Sequence, residues 1–166
     1  MQIQTKKTLR ALMVCLPIVI SYFFAIKPNV FTYPLIHANI FHLIANVWCL
    51  YFLMKVASDR KTWFLFIIGG AIASVISYLL YNNSLVVGAS GFIYGAIGVC
   101  TVYMYNNSNG VAFYRSAFFL SVLVSLVLGI VIPGLAGLLH LYALIIGVVI
   151  GAMSVRINRF ITKIQQ

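Results

Sequence analysis

The chain holds one acidic side chain, Asp59, and no glutamate. That scarcity removes whole reaction classes. An aspartyl protease needs two carboxylates at one site. A zinc protease of the His-Glu-x-x-His type needs a glutamate. Calcium and magnesium sites need several oxygen ligands, usually carboxylates, so neither a metal site nor a cofactor is expected. An ion-coupled carrier commonly keeps an acid within the membrane, and Asp59 sits instead in the basic stretch SDRK. Any catalysis must therefore run on Ser, His, Cys, Tyr, Asn or backbone groups. Charge of either sign is scarce as well: 7% of residues are charged, against about 25% in a soluble globular domain, which excludes that class. Cysteine is limited to Cys15, Cys49 and Cys100. The odd count and the lack of C-x-x-C spacing fit buried packing thiols better than a disulfide or metal framework.

Apolar residues, by contrast, make up 63% of the chain, and with so many aromatic and β-branched side chains disorder is excluded. A membrane helix needs roughly 20 apolar residues, so 166 residues hold about six spans with short connections. Hydropathy places them at about 9–26, 35–57, 62–81, 86–105, 111–132 and 135–155. The breaks KPN, NNS, NNSNG and PG have turn chemistry. No internal repeat and no polar linker is visible. The fold class expected is all-α, a polytopic six-helix membrane bundle forming one domain over residues 1–166. Lys6, Lys7 and Arg10 precede the first span, but no small-x-small cleavage site follows it, so it is expected to be retained rather than removed as a signal peptide.

The net charge of +10 invites a nucleic-acid partner. The basic residues lie at span ends rather than on one face, so anionic lipid head groups are the expected partner and nucleic acid is not. Lys6, Lys7, Arg10, Lys55, Arg60, Lys61, Arg115, Arg156, Arg159 and Lys163 fall on one side, with Lys27 alone on the other. Both termini are therefore expected in the cytoplasm, with the NNS and PG loops outside.

Polar residues inside lipid-spanning helices are costly, so each needs a reason. His37 and His42 lie early in the second span and His140 early in the sixth. His42 and Asn46 are four apart, which stacks them on one helix face; alone, the pair fits interhelical hydrogen bonding equally well. The fourth span opens GASGFIYGAIG. Gly88 and Gly91 flank Ser90 and would let a backbone or a substrate approach its hydroxyl. Gly91, Gly95 and Gly98 form a small-residue face, so the run also reads as a packing surface with an incidental serine. In the sixth span, LLHLYALIIGVVIGAM sets His140 above a stripe of Ala143 or Leu144, Gly147 and Gly151. Packing the two glycine faces together would bring His140 near Ser90. Ser90, His140 and His42 stand about four, five and seven residues into their spans, which at 1.5 Å per residue puts all three roughly 6 to 11 Å below the same surface. Scattered packing residues would not be expected to share one level.

These residues resemble those of the rhomboid intramembrane serine proteases. HANIFHLIAN supplies His37, His42 and Asn46 in that family's spacing, G-A-S-G is followed by Tyr94 four after Ser90, and His140 precedes the small-residue stripe, all in the family's order. The resemblance covers nearly the whole chain and implies a Ser-His dyad, with Ser90 as nucleophile and His140 as general base. It implies Tyr94 stacked on His140, and His42 and Asn46 as oxyanion donors beside the Ser90 N–H. Gly88 and Gly91 would shape the helix start, and His37 would play a supporting part. It further implies transmembrane protein substrates and an integral, multi-pass location, expected in a bacterial inner membrane; it says nothing of the oligomeric state. The alternative is a catalytically silent relative that binds transmembrane clients. Two departures stand out: a first connection of only about eight residues, KPNVFTYP, without the family's Trp-Arg signature, and Ala143 where glycine is usual.

Overall fold

In a computed structural model, the structure describes residues 2–57, 59–81, 86–107, 117–131 and 136–165. Arg115 and the NNS, PG and most of the NNSNG turns lie outside the described residues. Among the described residues there are six α-helices and no strand: α1 Gln2–Ser21, α2 Ile40–Val56, α3 Arg60–Tyr81, α4 Ser90–Asn107, α5 Ala117–Val131 and α6 Gly137–Ile164. A short 3₁₀ helix, Tyr33–Leu35, lies between α1 and α2. Two helices, α3 and α6, are long and apolar enough to cross a membrane, and α2 and most of α5 are shorter apolar helices. Large apolar side chains such as Leu12, Leu16, Phe41, Trp48, Leu79 and Val131 point outward. So extensive an exposed apolar surface suits an apolar solvent.

α4 is the centre of the bundle. It packs against α2, α3 and α6. Its residues Ile93, Ala96, Ile97, Val99 and Cys100 are all buried, as is Ala89 just before it. A helix that is apolar all round is stable only when covered on most sides, which is the position it takes. The α4–α6 seam is the tightest. A Cβ added at Gly147 would run into the Gly95 carbonyl, and one added at Gly98 would meet the Leu144 carbonyl and come within 2.7 Å of the Val148 nitrogen. Ala143, Gly147 and Gly151 are buried against this face, so alanine at 143 is accommodated.

Several helix limits differ from those read from hydropathy. α1 stops at Ser21 rather than Ile26: there the Phe23 and Phe24 N–H groups turn to carbonyls three residues back, Ile20 and Ser21, and the Ser21 hydroxyl reaches the Leu35 carbonyl of the connection at 2.7 Å. α2 starts at Ile40 rather than Leu35, because the Asn39 side chain caps it, accepting from the His42 backbone N–H at 2.9 Å. His37 therefore precedes α2 and is not part of it. The first connection is correspondingly longer than KPNVFTYP and runs over residues 22–39. α4 begins at Ser90 itself, and α6 continues past Val155 to Ile164.

That connection is built into the body. Asn29 Oδ1 accepts from the Phe31 and Thr32 N–H groups at 2.9 and 3.0 Å, forming a compact turn. Tyr33 then enters the core with no exposed surface. Its ring stacks on Tyr78 at 4.5 Å and its hydroxyl meets Ser74 Oγ at 2.6 Å. Its carbonyl accepts from the Gly88 N–H at 2.9 Å, which fixes the approach to α4.

The two ends of the bundle differ in chemistry. Lys61 Nζ donates to Asn158 Oδ1 at 3.2 Å and Arg159 to Asn106 Oδ1 at 2.7 Å, so the start of α3 and the ends of α4 and α6 share one basic end. The first turns of α4 and α6 form the other. His140 and Arg156 are sixteen residues apart on one helix, about 24 Å along its axis.

Candidate active site

Ser90 is the first residue of α4, His42 the third of α2 and His140 the fourth of α6. These positions are shallower than the sequence spacing implied, because each helix starts at a cap or turn that hydropathy does not register. The three still lie near one end. Ser90 Oγ and His140 Nε2 are 2.7 Å apart, within hydrogen-bond reach. As the opening residue, Ser90 has no acceptor for its backbone N–H within the helix.

Gly88 makes the approach to Ser90 possible. Its φ of 113° is a left-handed conformation that L side chains rarely adopt. A Cβ there would also lie 2.5 Å from His42 Cε1, 2.7 Å from His42 Nε2 and 3.5 Å from Asn46 Nδ2. The missing side chain thus admits the His42 ring and the Asn46 amide beside the nucleophile turn. Asn46 is buried and donates to the His42 carbonyl at 3.0 Å, which holds it on the same face one turn below. Gly91 serves a different neighbour from the one its sequence suggests. A Cβ there would overlap the Tyr33 hydroxyl and come within 2.9 Å of Leu139 Cδ2, so this glycine makes room for core packing and not for a substrate.

Tyr94 lies one turn beyond Ser90. Its ring is stacked on His140, with centroids 4.6 Å apart and planes 14° from parallel. Its hydroxyl bonds to Ser125 of α5. His140 Nδ1 is buried and has no hydrogen-bond partner among the described residues. His37 is buried behind the site, its ring 5.1 Å from that of His42 and edge-on to it.

Ser90, His140, His42, Asn46 and Tyr94 all face a cavity of about 1240 Å³. α2 forms one wall through Cys49 and Phe52, and α5 the other through Ser121, Ser125 and Gly129. α2 and α5 do not pack closely on each other among the described residues, so the cavity separates them. Cys49 is exposed on this wall, whereas Cys15 and Cys100 are buried. Reading all three cysteines as buried fails at Cys49, because α2 has no helix packed against that face.

Two residues beside the site escape a reading of the sequence. Tyr33 opens the three-residue 3₁₀ helix of the connection, too short for a buried aromatic to leave a periodic signal; the nearest cue is Pro34, which restricts the residue before it. Ser125 lies in an apolar helix and bonds back to the Val122 carbonyl at 2.9 Å, a habit of serine in helices that conceals its second partner.

An aligned hydroxyl and imidazole, with donors beside them and no carboxylate required, can support acyl transfer. Among families of known proteins, the Rhomboid domain matches residues 27–157, the greater part of the chain, spanning every residue of this constellation. No curated protein and no solved structure matches the chain. With an all-helical bundle wrapped in apolar surface and a domain match of that extent, the chain belongs to the rhomboid family of integral membrane proteins.

Proposed function

We propose that this protein is an intramembrane serine endopeptidase that cleaves transmembrane segments of membrane proteins. Ser90 is the nucleophile and His140 the general base. The observation that supports this most strongly is the 2.7 Å contact between Ser90 Oγ and His140 Nε2 at the head of a large cavity. His140 takes the Ser90 proton as Oγ attacks the scissile carbonyl and delivers it to the leaving amine; the acyl-enzyme left on Ser90 is then hydrolysed by water, whose proton His140 takes and returns to Ser90 Oγ. With Nε2 accepting, Nδ1 carries the ring proton, and Tyr94 holds the ring plane by stacking in place of a third carboxylate. The developing oxyanion lies near His42, Asn46 and the Ser90 N–H. One such donor in a dry site is worth about 3 to 4 kcal/mol of barrier.

The substrate is a membrane-spanning segment that reaches the cavity between α2 and α5. Peptide bonds in a helix are hydrogen-bonded and shielded, so the segment unwinds locally before attack. Glycine, proline or polar residues near the cut therefore favour cleavage. The basic end of the bundle faces the cytoplasm and an anionic lipid leaflet, which sets both termini inside and the dyad near the outer face. A bacterial inner membrane is the setting we propose. Retention of both serine and histidine favours this activity over a silent client-binding role.

The test is cleavage of a single-pass substrate by purified protein in liposomes. The parent protein should yield a new end near the outer boundary of the substrate helix, and Ser90→Ala should yield none. Undiminished cleavage by Ser90→Ala would overturn the assignment.

A further inference from the structure

α5 touches the His140 region at two places one helical turn apart. At the first, a Cβ added to Gly129 would lie 3.5 Å from His140 Nδ1 and 3.2 Å from the Gly137 Cα, so the helix backbone itself closes the far side of the imidazole. At the second, Ser125, four residues earlier and so on the same face of α5, meets the Tyr94 hydroxyl. Its neighbours fix the direction of that bond. The Val122 carbonyl, 2.9 Å from Ser125 Oγ, can only accept, so the Ser125 proton goes there. The Tyr94 hydroxyl therefore donates to Ser125. Tyr94 in turn lies flat on His140, and no acceptor among the described residues restrains His140 at Nδ1. Ser90 holds one edge of the imidazole and Tyr94 one face. A stacked ring can slide in its own plane; one tied at its hydroxyl cannot.

We infer that Ser125 is a positioning residue, which through Tyr94 keeps the His140 imidazole in register with Ser90 and so makes the activity of the dyad depend on where α5 stands. This rests on the enzyme reading above. α5 packs on the bundle chiefly through α6 and forms the cavity wall opposite α2. A displacement of α5 by about 1 Å takes the Tyr94–Ser125 pair out of hydrogen-bond range.

The experiment measures two rates on the full chain in liposomes: cleavage of a single-pass substrate, and covalent labelling of Ser90 by a small fluorophosphonate, which needs no helix displacement to enter. Ser125→Ala should slow labelling and lower kcat about tenfold, the scale of a small misplacement of a catalytic group, with KM changed less than about twofold. Tyr94→Phe should do the same, and the double variant should fall no further than either alone. Ser125→Thr, which restores a hydroxyl, should recover both rates. Leu128→Ala, an exposed residue of the same helix, should leave them unchanged and controls for loosening of α5. Parental labelling in Ser125→Ala, or additive losses in the double variant, would overturn the positioning role while leaving the enzyme reading intact. Absence of Ser90-dependent labelling in the parent protein would overturn the enzyme reading and this inference with it.

Discussion

The seam between α4 and α6 and the gap between α2 and α5 are built to opposite rules. In the seam, glycine faces glycine and backbone approaches backbone so closely that single Cβ atoms do not fit. Across the gap, α2 and α5 stand apart around a cavity of about 1240 Å³, and their facing side chains include Cys49, Phe52, Ser121 and Ser125. The seam fixes the distance between Ser90 and His140, one residue from each of its helices. The gap leaves room for something else to lie beside them. The contrast teaches that Ser90 and His140 stand on the two most closely packed helices of the bundle, while the cavity beside them lies between two helices that do not pack closely on each other. His42 and Tyr94 join the two regions, since each belongs to one and faces the other.

The largest expected effect lies where the regions meet. His42→Ala should lower kcat by about 100- to 1,000-fold with little change in KM, as expected for loss of an oxyanion donor, in steady-state cleavage assays. Retained kcat would separate α2 from the chemistry and leave it a wall of the gap. Next comes the seam itself. Gly147→Val places side-chain carbons against the Gly95 carbonyl and should cost about 1 to 3 kcal/mol or more, read as a lowered thermal unfolding midpoint, with activity lost alongside. A tolerated valine would mean that the close approach of α4 and α6 is not what sets the dyad distance. Gly88→Ala should cost about 1 to 2 kcal/mol, because its φ of 113° disfavours a side chain and the new methyl meets the His42 ring. Its cleavage rate should drop with its stability, because the site and the strain share one turn. The smallest effect is expected in the gap: Phe52→Ala should shift stability by no more than about 0.5 kcal/mol, and substrates with bulkier helix faces should be cut at least as fast. A large loss of stability there would show that the gap is packed rather than open.

The seam is the part most legible in the sequence. GASGFIYGAIG and LLHLYALIIGVVIGAM announce two small-residue faces, helical spacing says which residues share each face, and packing one on the other brings His140 towards Ser90. The connection between α1 and α2 is where that reading runs short. Hydropathy carries the first helix to Ile26 and starts the second at Leu35, although Ser21 ends the one and Asn39 caps the other. A run of apolar side chains marks what can lie in lipid; it does not mark where backbone hydrogen bonds stop. Hydropathy for that reason sets His37 in a helix and carries no sign of Tyr33. The residue pattern H-A-N before the apolar run of α2 held the cap signal, with Asn39 three positions before His42. Ser125 had no such signal, because its partner Tyr94 lies on another helix and only the packed structure brings them together.

The most direct measurement is mass spectrometry of the purified protein in liposomes after exposure to a fluorophosphonate. The account predicts a covalent adduct on Ser90, retained in Cys49→Ala and absent in His140→Ala. No adduct on Ser90 in the parent protein, or an undiminished adduct in His140→Ala, would contradict it.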